Sequence, residues 1–166
     1  MNSKRTLKQE INNVCYNIGL KIDRKIQAVK TIEFPKRQSN FVFDGIKLNI
    51  AKRNPIFILH EIAHFQCATP ERRKMPEYGC GSFVVENALN PVISQDELQL
   101  EECCIMLLQN LWVKKIFKKI ERLKFGVELE EDIMECVVRF KEEIWWLQDN
   151  KLIDDNFIPL CNLRKH

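Results

Sequence analysis

The stretch that most restricts this chain begins at Asn54-Pro55 and continues through Phe57, Ile58, Leu59, His60, Glu61, Ile62, Ala63, His64 and Phe65. Asn is a good helix cap, and Pro is preorganised for the first helical position. The residues flanking His60 and His64, namely Ile58-Leu59 and Phe65, are uncharged and suit a buried helix. A helix of this kind needs other elements to cover it, so the chain must build a core around it. Two of the chain's three histidines lie on this helix. Four helical residues turn about 400°, so both imidazoles leave the same face one turn apart.

That spacing lets both rings reach one metal ion at about 2.0–2.1 Å. Glu61 is rotated about 100° from His60. In zinc hydrolases with this His-Glu-x-x-His pattern, the Glu takes a proton from water activated by the metal. An apolar strand just upstream adds to the pattern, because a zinc peptidase places a substrate-aligning edge strand there. The plainer reading of such a match is a pair of surface or core histidines.

A catalytic ion usually has three protein ligands and one open position. The third candidates are Glu101 and Glu102, with Glu101 favoured. Glu101 lies on the stripe Cys104, Ile105, Leu108 and Trp112, and a carboxylate facing a core needs a cation or many hydrogen bonds. Glu102 sits at the edge of that stripe. Glu97, the remote His166, and Cys67 at an unfamiliar spacing are weaker. Acids in a helix's first turn also favour the dipole without any metal.

The rest of the chain reads as one domain over 1–166. It comprises an N-terminal helix and small sheet (1–54), a metal-binding core (55–124) and a C-terminal helical extension (125–166). The 166 residues suffice for a core without staples. The 26 Lys+Arg against 23 Asp+Glu leave a charge of only +3, which speaks against nucleic acid as partner. No apolar run reaches the roughly 18 residues of a membrane span, and the start lacks a secretory apolar core. The expectation is a cytoplasmic protein, or one delivered into a host cytosol. An odd number of cysteines, seven, without a CxxC pair, argues against disulfides or a thiolate zinc site.

The elements follow from periodicity. Leu7, Ile11, Val14, Cys15 and Ile18 form one helix face, ended by Gly19. Phe41-Val42-Phe43, Asp44-Gly45 and Ile46–Ile50 read as a hairpin. Residues 68–94 are irregular. A long helix is expected over Gln95–Lys124 with Ser94 as cap, and a last one from Glu130 to about Asn150. The fold class is α+β: a mostly helical zincin-like domain with a small β-sheet beside the His60–His64 helix. The basic run Lys114–Ile120 and the acidic 128–135 stretch read as solvated faces of neighbouring helices. Trp145 and Trp146, about 100° apart on a helix, cannot both face one ligand.

The His60-Glu61-x-x-His64 helix with a downstream helical Glu resembles the gluzincins, zincin metallopeptidases with Glu as third ligand. Over residues 40–112 the chain is also similar to the bacterial elongation factor P hydroxylase family. The similarity lies in the order of Phe41-Val42-Phe43, His60–Phe65, Ala68, Arg72-Arg73 and Tyr78-Gly79. It differs in having Gly79-Cys80-Gly81 in place of that family's aromatic run and a helical C-terminal third, and it differs from zincins in having Gln66 where a hydrophobic residue is often seen. These resemblances imply a metal-dependent hydrolase, a zinc metallopeptidase acting on a polypeptide, with Glu61 as catalytic base. The alternative is a non-haem iron (Fe2+) hydroxylase of a protein side chain on the same ligands. A second alternative is a non-catalytic metal-binding interaction module. The loop after the motif offers Arg72, Arg73 and Tyr78 to a substrate, and the Ile46–Ile50 strand would align that substrate by strand addition.

Overall fold

A computed structural model describes residues 6–23, 42–49, 54–81, 89–119 and 139–166. Among these residues it contains four α-helices and a two-stranded parallel sheet, a coarse α+β arrangement.

Helix α1 spans Leu7–Ile18 and starts from a capping box. The Gln9 amide N–H donates to Thr6 Oγ1 at 3.3 Å, and the Thr6 N–H donates to Gln9 Oε1 at 2.7 Å. Its buried residues are Ile11, Val14, Cys15 and Ile18, the face expected from their spacing. Gly19 ends it at φ 73°, a left-handed conformation that suits glycine.

Strand β1, Lys21–Asp23, pairs in parallel with β2, Lys47–Asn49, with Ile22 opposite Leu48. On its other side β2 meets the Val42–Asp44 segment, through an antiparallel bridge between Phe43 and Leu48. There the Asn49 N–H donates to Val42 O at 2.8 Å. The hairpin expected from the sequence is present, one residue displaced. Asp44 Oδ1 accepts from the N–H groups of Ile46 and Lys47 at 2.9 Å, so the tight loop is Gly45-Ile46 rather than Asp44-Gly45. An aspartate that bonds the backbone two residues on makes its own turn. The shift leaves Ile46 69% exposed while Leu48 is fully buried. Gly45 has φ 90°, and a Cβ there would stand 2.6 Å from the Lys74 carbonyl oxygen. The hairpin therefore lies directly on the loop after α2. Asp44 also bridges Pro76, and the Glu77 N–H donates to Phe43 O at 2.9 Å.

This layering corrects the expected edge strand. β2 has a backbone neighbour on each side, and the outer side of Val42–Asp44 is covered by Pro76-Glu77. Main-chain groups already paired in this way cannot also receive an added strand.

Helix α2 spans Pro55–Cys67, and Asn54 Oδ1 accepts from the Ile56 N–H at 2.8 Å. Helix α3 spans Gln95–Lys119, opened by a second capping box between Ser94 and Glu97. The expected residues 120–124 lie outside the described part. α2 and α3 form the most extensive helix pair. Ile58, Leu59, Ile62 and Ala63 share one core with Ile105, Leu108 and Trp112. Helix α4, Lys141–Asp149, buries Ile144 and Leu147 and leaves Trp145 71% exposed. The part of that helix expected over 130–138 lies outside the described residues, as do Ile50, Phe41 and Cys136. Lys115 of the basic run has an internal role: its Nζ donates to Pro159 O at 2.7 Å and sits over the Trp112 ring.

The chain after α4 returns to the end of α2. Gln66, fully buried, donates through Nε2 to Leu160 O at 2.7 Å and to Asn162 O at 2.8 Å. Its Oε1 accepts from Trp112 Nε1–H at 2.8 Å. Its own carbonyl accepts from the Arg164 N–H at 3.0 Å. One amide thus links α2, α3 and the tail. Among the described residues no helix is long and apolar enough to cross a membrane.

Candidate metal centre

His60 and His64 stand one turn apart on α2, with ring centroids 4.7 Å apart and planes at 84°. Their Nε2 atoms are 3.2 Å apart. Two nitrogens bound at about 2.05 Å to one tetrahedral ion would stand about 3.3 Å apart, so the pair has the spacing of two ligands of one ion. Glu102 on α3 completes the group, with Oε1 3.6 Å from His64 Nε2. One ligand atom from each of the three residues falls within 4.8 Å of the others. The donor set, two imidazoles and a carboxylate, suits zinc or non-haem iron.

Surrounding groups hold both rings. His60 Nδ1 lies 2.9 Å from Gln109 Oε1. The His64 ring lies parallel to the Tyr78 ring at 5.3 Å, and Tyr78 in turn stacks on Phe43 at 4.4 Å. His64 Nδ1 is 4.0 Å from Cys80 Sγ. Burial, with the positive potentials of His60 and Arg72, lowers the His64 pKa to about 3. The imidazole is therefore neutral at pH 7, the state a metal ligand requires. Burial raises the Glu102 carboxyl above its ordinary value, partly offset by His60.

Glu101, the favoured third ligand in the sequence reading, is committed elsewhere. Its Oε2 accepts from Arg72 Nη1–H at 2.7 Å and its Oε1 from Arg72 Nη2–H at 2.6 Å. Arg164 Nη1 lies 3.5 Å from Oε2. The cation that a core-facing carboxylate needs is thus an arginine. Adjacent helical residues differ by about 100° in direction: Glu102 groups with both histidines, whereas Glu101 lies near His64 alone. His64, Cys80 and Glu101 form a second close group of ligand-type atoms. Arg72 Nη2 is 3.1 Å from Cys80 Sγ and 2.6 Å from Glu101 Oε1, so a positive charge already stands among them. Burial pushes the Cys80 thiol up to about 12, against the pull of Arg72.

The residues expected to meet a substrate are engaged inside the protein. Arg72 is 5% exposed, and its Nε–H also donates to Tyr78 O at 2.8 Å. Arg73 donates to the carbonyls of Ala68 and Arg164 and lies against the Phe65 ring. Tyr78 is 1% exposed. Its segment is unusual: Glu77, Tyr78 and Gly79 have φ of 48°, 56° and 70° in succession. A bulky residue in the left-handed region is strained, and the surrounding contacts must hold it there. Here the strain sets the Tyr78 ring between Phe43 and His64.

Glu61 is buried on α2 beside Tyr78. Burial and this carboxylate push the Tyr78 hydroxyl well above its ordinary pKa. Glu97 serves the α3 cap, Cys67 lies in the core, and His166 is exposed on the tail. The sequence reading passed over Gln109, Cys80 and Gln66 as site-forming residues. Gln109 follows Glu102 by two helical turns on the same face of α3, a spacing that was available as a signal. Cys80 and Gln66 carry no such signal, because their partners are remote in sequence.

No family model, no curated protein and no solved structure matches this chain in comparisons with known proteins.

Proposed function

We propose that the chain is a metal-dependent enzyme whose ion is held by His60, His64 and Glu102, and that it acts as a zinc hydrolase on a polypeptide. The observation carrying this reading is the 3.2 Å approach of the two Nε2 atoms with Glu102 3.6 Å from His64. Three ligands leave a position open for water or substrate. An ion bound there supplies Lewis acidity and lowers the pKa of water towards neutrality. Glu61, which follows His60 directly in the motif and is buried beside Tyr78, is the carboxylate placed to act as general base. Tyr78 and Gln109 hold the two rings still, and Arg72 keeps Glu101 from competing with Glu102 for the ion.

A second reading is favoured by the pairing of β2 on both sides, which removes the strand on which a peptidase substrate would align. Two histidines and one carboxylate also form the ligand set of non-haem iron enzymes. An Fe2+ hydroxylase of a protein side chain needs no strand addition.

Elemental analysis of protein purified without added metal separates the readings. Stoichiometric zinc with peptide hydrolysis abolished in Glu61→Gln supports the first. Iron with oxygen-dependent turnover supports the second. Protein free of metal that also fails to bind added zinc or iron refutes both.

A further inference from the structure

Both ring nitrogens of His60 have a close neighbour, one on α2 and one on α3. Its Nε2 edge faces His64 Nε2 at 3.2 Å, in the group that Glu102 completes, and its Nδ1 edge meets Gln109 Oε1 at 2.9 Å. Glu102 and Gln109 are two turns apart on α3 and so project along one line. Gln109 is buried at 9% exposure, where water competes poorly for its amide.

We infer that Gln109 is the positioning residue that fixes His60 in its Nδ1–H tautomer and leaves the Nε2 lone pair facing His64. The reasoning is one of proton accounting. A neutral imidazole has one N–H and one lone pair. If the carboxamide oxygen of Gln109 takes the Nδ1–H, the lone pair of His60 must be on Nε2. Two lone pairs facing each other at 3.2 Å would repel, so in the metal-free protein His64 carries its proton on Nε2 and donates it to His60. The two rings therefore hold opposite tautomers before an ion enters. His60 would already offer Nε2 to an ion, and His64 would do so once its proton stood on Nδ1, on the side of Cys80 Sγ. No net proton is gained or lost in that step. A neutral acceptor does this without adding charge to a site that already contains Glu102. Partners of this kind on ligand histidines commonly change metal affinity by about 10–100-fold.

The consequence for affinity rests on the metal reading above, whereas the tautomers do not. Long-range nitrogen–proton correlation spectra of the metal-free wild-type protein should show His60 protonated at Nδ1 and His64 at Nε2. Zinc should convert His64 alone. Gln109→Leu should lose the His60 preference and weaken zinc binding by about 10–100-fold, and Gln109→Glu, which restores an acceptor, should recover both. A merely structural glutamine would lower the melting temperature without moving the tautomer. His60 protonated at Nε2 in the metal-free wild type overturns the inference, whether or not Gln109→Leu folds. So does unchanged zinc affinity in Gln109→Leu when the wild type binds zinc. A wild type that takes up no zinc yet shows the opposed tautomers refutes the metal reading and leaves the inference standing.

Discussion

Arg72 and Glu101 meet as a bidentate fork, with Nη1 2.7 Å from Oε2 and Nη2 2.6 Å from Oε1, at side-chain exposures of 6% and 5%. Both charges are out of water, and each is tolerable only because of the other. Glu101→Gln removes one partner and leaves Arg72 uncompensated. It should destabilise the fold by about 3–5 kcal/mol in denaturant titrations. Glu102→Gln, at a side chain 42% exposed, should cost less than about 1 kcal/mol. Equal costs for the two substitutions would contradict the division of roles between these adjacent acids.

Metal content should follow the opposite order. Glu102→Gln and His60→Ala should each lose most of the bound ion, measured as ion per folded chain after dialysis. Glu101→Gln should retain it wherever the protein stays folded. A Glu101→Gln protein that is folded and free of metal, beside a loaded Glu102→Gln protein, would assign the third ligand to Glu101.

The acid response of the metal-free protein should carry the signature of His64. Its pKa is lowered from 6.5 to about 3 in the fold, chiefly by burial. Between those values the unfolded chain binds the proton and the folded one does not, so stability falls as pH falls through the window. The contribution is complete above 6.5 and lost progressively towards 3, with a slope of up to about 1.4 kcal/mol per pH unit. The denaturant midpoint of wild type relative to that of His64→Phe should fall as pH drops from 7 to 4. Parallel curves for the two proteins would show that His64 titrates normally.

Gln66→Leu keeps approximate volume and removes three side-chain hydrogen bonds. The partly buried carbonyls of Leu160 and Asn162 and the buried indole N–H of Trp112 then lose their partner. At about 1–3 kcal/mol for a buried orphan, the Trp112 N–H should account for most of the loss, with less from the two partly buried carbonyls. Protease susceptibility of the tail should rise with it. A melting temperature within a degree or two of wild type would mean that water reaches these groups.

Local features of the chain were legible because local physics decides them. Gly19, Asn54 and Ser94 mark helix ends through bonds made within a few residues, and each stands where its chemistry places it. The burial of α1 followed from the three- and four-residue spacing of its apolar side chains. The convergence of His60 and His64 is likewise a property of one helix. What was not legible depends on contacts across the fold. The parallel partner of β2 comes from the segment after α1, and nothing in Lys21–Asp23 announces it. The separate surroundings of Glu101 and Glu102 depend on Arg72, which the sequence alone presents as a loop residue facing substrate. The hairpin slipped by one residue because the Asp44 side chain closed the turn from its own start. A polar residue in an apolar helix, Gln66, announced that it needed partners without saying where they were.

The linkage of the end of α2 to the tail has a mechanical consequence. Bonds to Leu160, Asn162, Trp112 and Arg164 fix Gln66 in the axial direction, and His64 lies half a turn before it on the same rod. A piston-like stroke of that rod would break all of them together. Uptake or release of an ion at the proposed centre would therefore be expressed through torsions about side-chain bonds, with the backbone acting as a stationary frame.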